Sequence, residues 1–92
     1  MNNYEAVVIL SQTISDEEKV EVAEKIKDMI VKCGELTNVE EWGRKELAYE
    51  IKKQKEGFYI LYTFTAKPSD IAEYDRLLRL EEKILKHMII RK

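Results

Sequence analysis

The hydrophobic pattern of the chain alternates between two periods, one of two residues and one of three and four residues. The two-residue period covers residues 3–10, 35–51 and 58–66 and predicts three strands, the second of them broken near Trp42-Gly43. The run over residues 84–91 is short and rich in isoleucine, which predicts a fourth strand. Apolar residues occupy both faces of the first segment. This predicts that the first strand lies in the middle of a sheet.

The three- and four-residue period predicts a first helix over residues 16–33. Ser15 and Glu18 at its start have the spacing of a capping box, in which the hydroxyl of Ser15 accepts from the third helical N–H and Glu18 accepts from the N–H of the cap. Gly34 is expected to end the helix. The predicted buried stripe consists of Val22, Ala23, Ile26, Met29, Ile30 and Cys33.

A second helix is predicted to begin at Pro68, with Ser69 as its cap. A polar turn over residues 52–57 joins the second and third strands into an antiparallel hairpin. The complete order predicts an α+β, ferredoxin-like βαββαβ fold, in which a four-stranded antiparallel sheet carries two helices on one face. We expect residues 1–92 to form a single domain.

Charge is distributed unevenly along the chain, although the net charge is only −2. Residues 1–43 contain four lysines and ten acids, a balance of −6, whereas residues 44–92 contain twelve Lys or Arg and eight acids, a balance of +4. Phosphate contacts depend on the local field over roughly 8–10 Å at physiological salt. The basic half can therefore bind RNA while the acidic half faces solvent.

The sequence offers little to catalysis or to a membrane. One cysteine favours a reducing compartment, and no apolar run approaches the roughly 18–20 residues of a membrane span, so we expect a cytoplasmic protein. His87 has no second histidine or cysteine nearby, which favours a structural or surface role over a metal site. Cys33 is interpreted as a small buried residue. No motif predicts a cofactor, a metal or a small-molecule substrate.

Basic residues are the stronger candidates for binding. One set flanks the hairpin and consists of Arg44, Lys45, Lys52, Lys53 and Lys55. A second set lies in the last quarter and consists of Arg76, Arg79, Lys83, Lys86, Arg91 and Lys92. Such side chains supply sequence-independent, salt-sensitive contacts to phosphates. Charge alone nevertheless favours the simpler interpretation of a solvated hairpin, since lysines are common at turns.

A series of short motifs is more specific evidence about the kind of protein than the charge distribution is. These motifs are Tyr4-Glu5, the helix start at Ser15 to Glu18, Glu41-Trp42-Gly43-Arg44-Lys45, Leu47-Ala48-Tyr49, Ile51-Lys52-Lys53, Gly57-Phe58-Tyr59 and Leu78-Arg79-Leu80. With them the chain resembles the bacterial small-subunit ribosomal protein six family over essentially all of its length. The spacing from Trp42 to Tyr59 is the most specific of these features.

The resemblance implies a non-catalytic assembly protein of the cytoplasmic ribosome. Such a protein binds the central domain of small-subunit ribosomal RNA together with small-subunit protein eighteen, as a heterodimer. Carried over by position, the RNA contacts are Arg44, Lys45, Lys52 and Lys53, with Tyr4 and Arg79 as further candidates. Two departures from the family pattern are Asn2-Asn3, where basic residues are common, and Glu50, where proline is common.

Two other functions share the predicted fold. A regulatory domain that pairs edge to edge would need a ligand loop after the first strand, and Ser11-Gln12-Thr13 offers little for one. An acylphosphatase-like enzyme would need a phosphate-cradling loop at the same place, and this loop has neither arginine nor glycine. Both alternatives are therefore weaker than RNA binding.

Overall fold

The predicted element order is confirmed in the computed structural model, which describes residues 1–92 except for the side chain of Cys33. The predicted burial of Cys33 thus lies outside the described residues. The elements are β1 (Asn2–Ser11), α1 (Asp16–Cys33), β2 (Glu35–Ile51), β3 (Gln54–Ala66), α2 (Pro68–Leu80) and β4 (Ile84–Arg91). The strands form one antiparallel sheet in the order β2-β3-β1-β4, so β1 is a central strand as predicted.

The main core lies between the sheet and the two helices. Alternate residues of β1 and β3 point into it, because successive side chains of a strand face opposite sides of a sheet. Tyr62 is almost fully buried there, and its hydroxyl donates to the carbonyl of Ala23 at 3.0 Å. Burial raises the pKa of Tyr62. Further members of the core are Ala6, Val8, Leu10, Val22, Ile26, Ile30, Ile60, Phe64, Tyr74, Leu78 and Ile84.

The start of α1 has the predicted capping box. The N–H of Glu18 donates to the hydroxyl of Ser15 at 3.2 Å, and the N–H of Ser15 donates to the Glu18 carboxylate at 3.2 Å. The hydrogen bond from the backbone N–H of Ser15, together with a hydrogen bond from the side chain of Lys83, holds the pKa of Glu18 below its usual range. Gly34 follows the last helical residue, as expected from its position.

The predicted cap of α2 is wrong by two residues. The cap position is occupied by Lys67, whose side chain makes no capping hydrogen bond, and the helix begins at Pro68. Proline has no N–H and a fixed φ, so it fits the first helical position, where the N–H has no intrahelical acceptor. This places Ser69 inside the first turn instead of before it.

The hairpin of β2 and β3 is longer and more irregular than a simple ladder. The pairing shifts between Glu41 and Gly43, so Trp42 is an extra residue on β2. Gly43 has φ +80, a value that glycine adopts without strain. The predicted break near Trp42-Gly43 is therefore a bulge within one continuous strand.

The predicted polar turn over residues 52–57 is too long. Ile51 pairs with Gln54, so only Lys52 and Lys53 form the turn. The residues that follow are polar, yet they continue β3 beyond its last pair with β1, Ser11 opposite Gly57. The side-chain amide oxygen Oε1 of Gln54 accepts from the N–H of Gln12 at 2.9 Å and from the hydroxyl of Ser11 at 3.1 Å. These bonds hold a polar segment in the strand.

Candidate nucleic-acid interface

The tip of the hairpin consists of two exposed lysines in an unusual backbone conformation. Lys52 has φ 49 and Lys53 has φ 65, both in the left-handed region. Two-residue hairpin turns require positive φ at both positions and for that reason strongly favour Asn-Gly. A residue with a β-carbon loses about 1 kcal/mol or more in this conformation. The tip therefore carries two positive charges at a conformational cost.

The tip is held in place by contacts on the face of the sheet opposite to the helices. Leu47 of β2 is buried there in a second small cluster with Ile9 and Leu85, and Ile51 and Tyr59 pack against this cluster. The end of β2 thus folds over the open face of the sheet and reaches towards β4. Because the turn follows directly, the position of Lys52 relative to β4 is fixed by packed side chains.

Arg44 and Lys45 lie in the middle of β2, and adjacent strand residues point to opposite faces. Arg44 is exposed and its Nε lies 3.9 Å from the Glu56 carboxylate. Lys45 is exposed on the other face, with its Nζ 5.0 Å from the centre of the Trp42 ring. These two candidates therefore do not form one patch, although each is open to solvent.

Arg79 lies on α2 and shares one carboxylate with His87. Arg79 donates to one oxygen of Asp75, and His87 Nε2 lies 2.7 Å from the other. The hydrogen bond from His87, with a further contribution from Arg79, holds the pKa of Asp75 below its usual range. The side chain of Arg79 remains 69% exposed.

Tyr4 differs from the other candidates because it belongs to the core. Only 6% of its surface is exposed, and its ring stacks on Phe64 with a centroid distance of 5.8 Å. The ring is therefore not available to stack on a base, and Tyr4 is not part of the exposed basic surface.

Lys86 lies close to Lys52 and Arg79. The sequence placed it only within the basic set of the last quarter of the chain. Its Nζ donates to the hydroxyl of Tyr49 at 2.7 Å and lies 5.1 Å from the centre of that ring. The contact crosses from β4 to the folded end of β2, a proximity that no sequence spacing reveals.

Among the described residues, no group of three or more His, Cys, Asp or Glu is arranged to hold a metal ion. No helix in the described part of the chain is long and apolar enough to cross a membrane.

Comparison with known proteins decides the family. The sequence profile described as "Ribosomal protein S6" matches residues 3–91. This chain belongs to that family. The S6 family consists of structural, non-enzymatic ribosomal proteins, so the expectations of a small-subunit ribosomal protein of the bacterial cytoplasm and of a chain without enzymatic activity are confirmed.

Individual S6 proteins resemble the chain over nearly their whole length. The small ribosomal subunit protein bS6 of Desulforamulus reducens is 41% identical, and the alignment covers 99% of this chain and 97% of the relative. The bS6 protein of Alkaliphilus metalliredigens is 43% identical with the same coverage.

Solved structures confirm the fold. The 30S ribosomal protein S6 of Thermotoga maritima superposes with a TM-score of 0.93 at 30% identity, covering 99% of this chain and 87% of that one. The C-terminal domain of MgtC from Mycobacterium tuberculosis gives a TM-score of 0.64 at 10% identity, which is a likeness of fold alone.

Proposed function

We propose that this S6 protein binds the central domain of small-subunit ribosomal RNA, with small-subunit protein eighteen as its heterodimer partner during assembly. Lys52 and Lys53 at the hairpin tip are the main RNA contacts, and Arg44, Lys45 and Arg79 add charge at the flanks. All five contact phosphates and position the protein, and none is assigned to reading a base.

The observation that carries this proposal is the backbone of the tip. Lys52 and Lys53 are exposed, left-handed and without an ion-pair partner among the described residues. Backbone strain of this kind persists only where the surrounding structure compensates for it, and strained residues cluster at functional sites. Two unpaired cations on a rigid projection can approach an RNA backbone without first losing a carboxylate partner. Family membership makes ribosomal RNA the polyanion that fits.

Replacing both tip lysines with alanine tests the RNA contacts. Each lost phosphate contact lowers the dependence of log K on log salt by about 0.7 to 0.9, so K52A/K53A is expected to flatten the slope by about 1.4 to 1.8. The measurement is a filter-binding titration against a central-domain RNA fragment at several salt concentrations. Lys27→Ala on the exposed side of α1 is the matched control and should leave the slope unchanged. An unchanged slope in K52A/K53A would contradict the assignment.

The heterodimer has its own test. Two proteins that contact one RNA act together, because the second contact forms at a high effective concentration. We expect purified protein eighteen to raise the RNA affinity of this chain well above that of either protein alone. The chain should also co-sediment with small subunits and remain after a high-salt wash. Equal affinity with and without the partner would count against heterodimer binding.

A further inference from the structure

A surface depression of about 310 Å³ lies at the edge of the sheet, beside β4. Three elements that are distant in sequence meet there: the hairpin tip with Lys52, the last turn of α2 with Arg79, and the start of β4 with Lys86 and His87. Its lining also includes the buried side chains of Leu78, Ile84 and Leu85. The fold thus gathers three cations around a small concave surface.

The charged side chains that line this depression are all positive. Lys52, Arg79 and Lys86 line it, and none of the described residues that line it is a carboxylate. Asp75 lies nearby and binds both Arg79 and His87. An anion that enters the depression therefore meets Lys52 and Lys86, which have no carboxylate partner among the described residues, and Arg79, whose charge is shared with Asp75.

The cations are held in position before any ligand arrives. The Asp75 carboxylate fixes Arg79 from one side and accepts from His87 on the other, which ties α2 to β4. The hydroxyl of Tyr49 accepts from Lys86 at 2.7 Å and is neutral, so it orients the lysine without cancelling its charge. The left-handed backbone fixes the direction in which the chain presents Lys52. Preorganised donors lose less conformational entropy on binding than mobile ones.

The edge position adds a further source of donors. β4 is an edge strand, so one side of its backbone has no neighbouring strand. Backbone N–H groups on such an edge can donate to an oxygen ligand. A phosphate presents several acceptor oxygens at once, which matches a site that combines three cationic side chains with backbone donors.

We propose that this depression is an anion site that holds a phosphate of bound RNA, with Lys52, Arg79 and Lys86 as its charged contacts. The inference rests on the RNA binding proposed above and adds to it Lys86 as a contact residue. Asp75, His87 and Tyr49 are positioning residues, since they act through Arg79 and Lys86.

Lys86→Gln tests the site, and Lys27→Gln is the matched control because Lys27 is an exposed lysine of α1 that does not line the depression. Both variants are titrated against the central-domain RNA fragment, with the partner protein present, at several salt concentrations. Because three cations share the phosphate, loss of Lys86 should reduce the salt slope by up to the value for one phosphate, about 0.7 to 0.9. Lys27→Gln should retain the wild-type slope.

A second measurement needs no variant. His87 is the only histidine in the chain, so its ring gives a single, unambiguous Cε1–H signal in NMR spectra. A phosphate seated in the depression should shift that signal when RNA is added to the wild-type protein. This readout remains available if Lys86→Gln fails to fold.

The outcomes separate the inference from the proposed function. A reduced slope in Lys86→Gln together with a shifted His87 signal supports the site. If K52A/K53A weakens binding while Lys86→Gln keeps the wild-type slope and the His87 signal does not move, the inference is wrong and the proposed function stands. If the wild-type protein with its partner shows no salt-dependent binding to the RNA, the proposed function fails and the inference fails with it.

Discussion

The strained turn at the hairpin tip predicts a mutation that stabilises the protein and weakens its binding to RNA. The double substitution K52N/K53G introduces the residue pair that left-handed two-residue turns favour. Removing the conformational strain of the two left-handed lysines should raise the free energy of unfolding by about 2 kcal/mol in total, at about 1 kcal/mol each. Glycine in the unfolded chain offsets about 0.4 to 1 kcal/mol of this gain. The net gain is about 1 kcal/mol, which corresponds to a rise in Tm of about 4–8 °C for a domain of this size.

The assay compares thermal unfolding with RNA titration for three proteins. K52N/K53G should unfold at a higher temperature than the wild type and bind RNA with a salt slope lower by about 1.4 to 1.8. K52A/K53A removes the same charges but keeps β-carbons in the left-handed region, so it should lose the same binding without the gain in Tm. If K52N/K53G is no more stable than K52A/K53A, the strain argument is wrong. If it retains wild-type RNA binding, the functional interpretation of the turn is wrong.

Two further predictions concern stability. Gly34→Ala should destabilise the protein by about 3 kcal/mol in chemical denaturation, the upper end for overpacking, because the new β-carbon would lie 2.3 Å from the backbone carbonyl oxygen of Thr65. Gly43→Ala meets no atom within 4 Å and loses only about 1–2 kcal/mol through its positive φ. It should therefore unfold at a higher denaturant concentration than Gly34→Ala, and the reverse order would refute the steric argument. The second prediction rests on Glu81, whose pKa is held below its usual range chiefly by a hydrogen bond from Lys25 at 2.9 Å. Since the unfolded chain then binds more protons, this stabilisation is present above the unfolded pKa of about 4.3 and is lost as the pH falls through the folded pKa. Between pH 7 and pH 3, the Tm of Glu81→Gln should therefore fall by less than the Tm of the wild type. An equal fall in both proteins would contradict this prediction.

The elements of this fold could be predicted from the sequence because each carries its own local signal. The capping box at Ser15 and the isoleucine-rich composition of β4 depend on neighbouring residues only. The two errors have different causes, one local and one distant in sequence. Pro68 takes the first helical position and displaces the cap to Lys67. Gln54 has a polar side chain that is typical of a turn, yet its contacts with Ser11 and Gln12, more than forty residues away, keep it in a strand.

The candidate site was only partly predictable, because charge along the chain does not report which cations meet in space. Arg44 and Lys45 are neighbours in sequence and point to opposite faces, whereas Lys52 and Lys86 are separated by 34 positions and line the same depression. What brings the second pair together is the extra length of β2 and its contact with the open face through Leu47 and Tyr49. Glu50 is exposed at the folded end of β2, two residues before Lys52. The direction in which this segment turns therefore decides how far the negative charge of Glu50 lies from the lysines of the tip. The bend of β2 thus shapes the proposed RNA surface as much as the lysines themselves do.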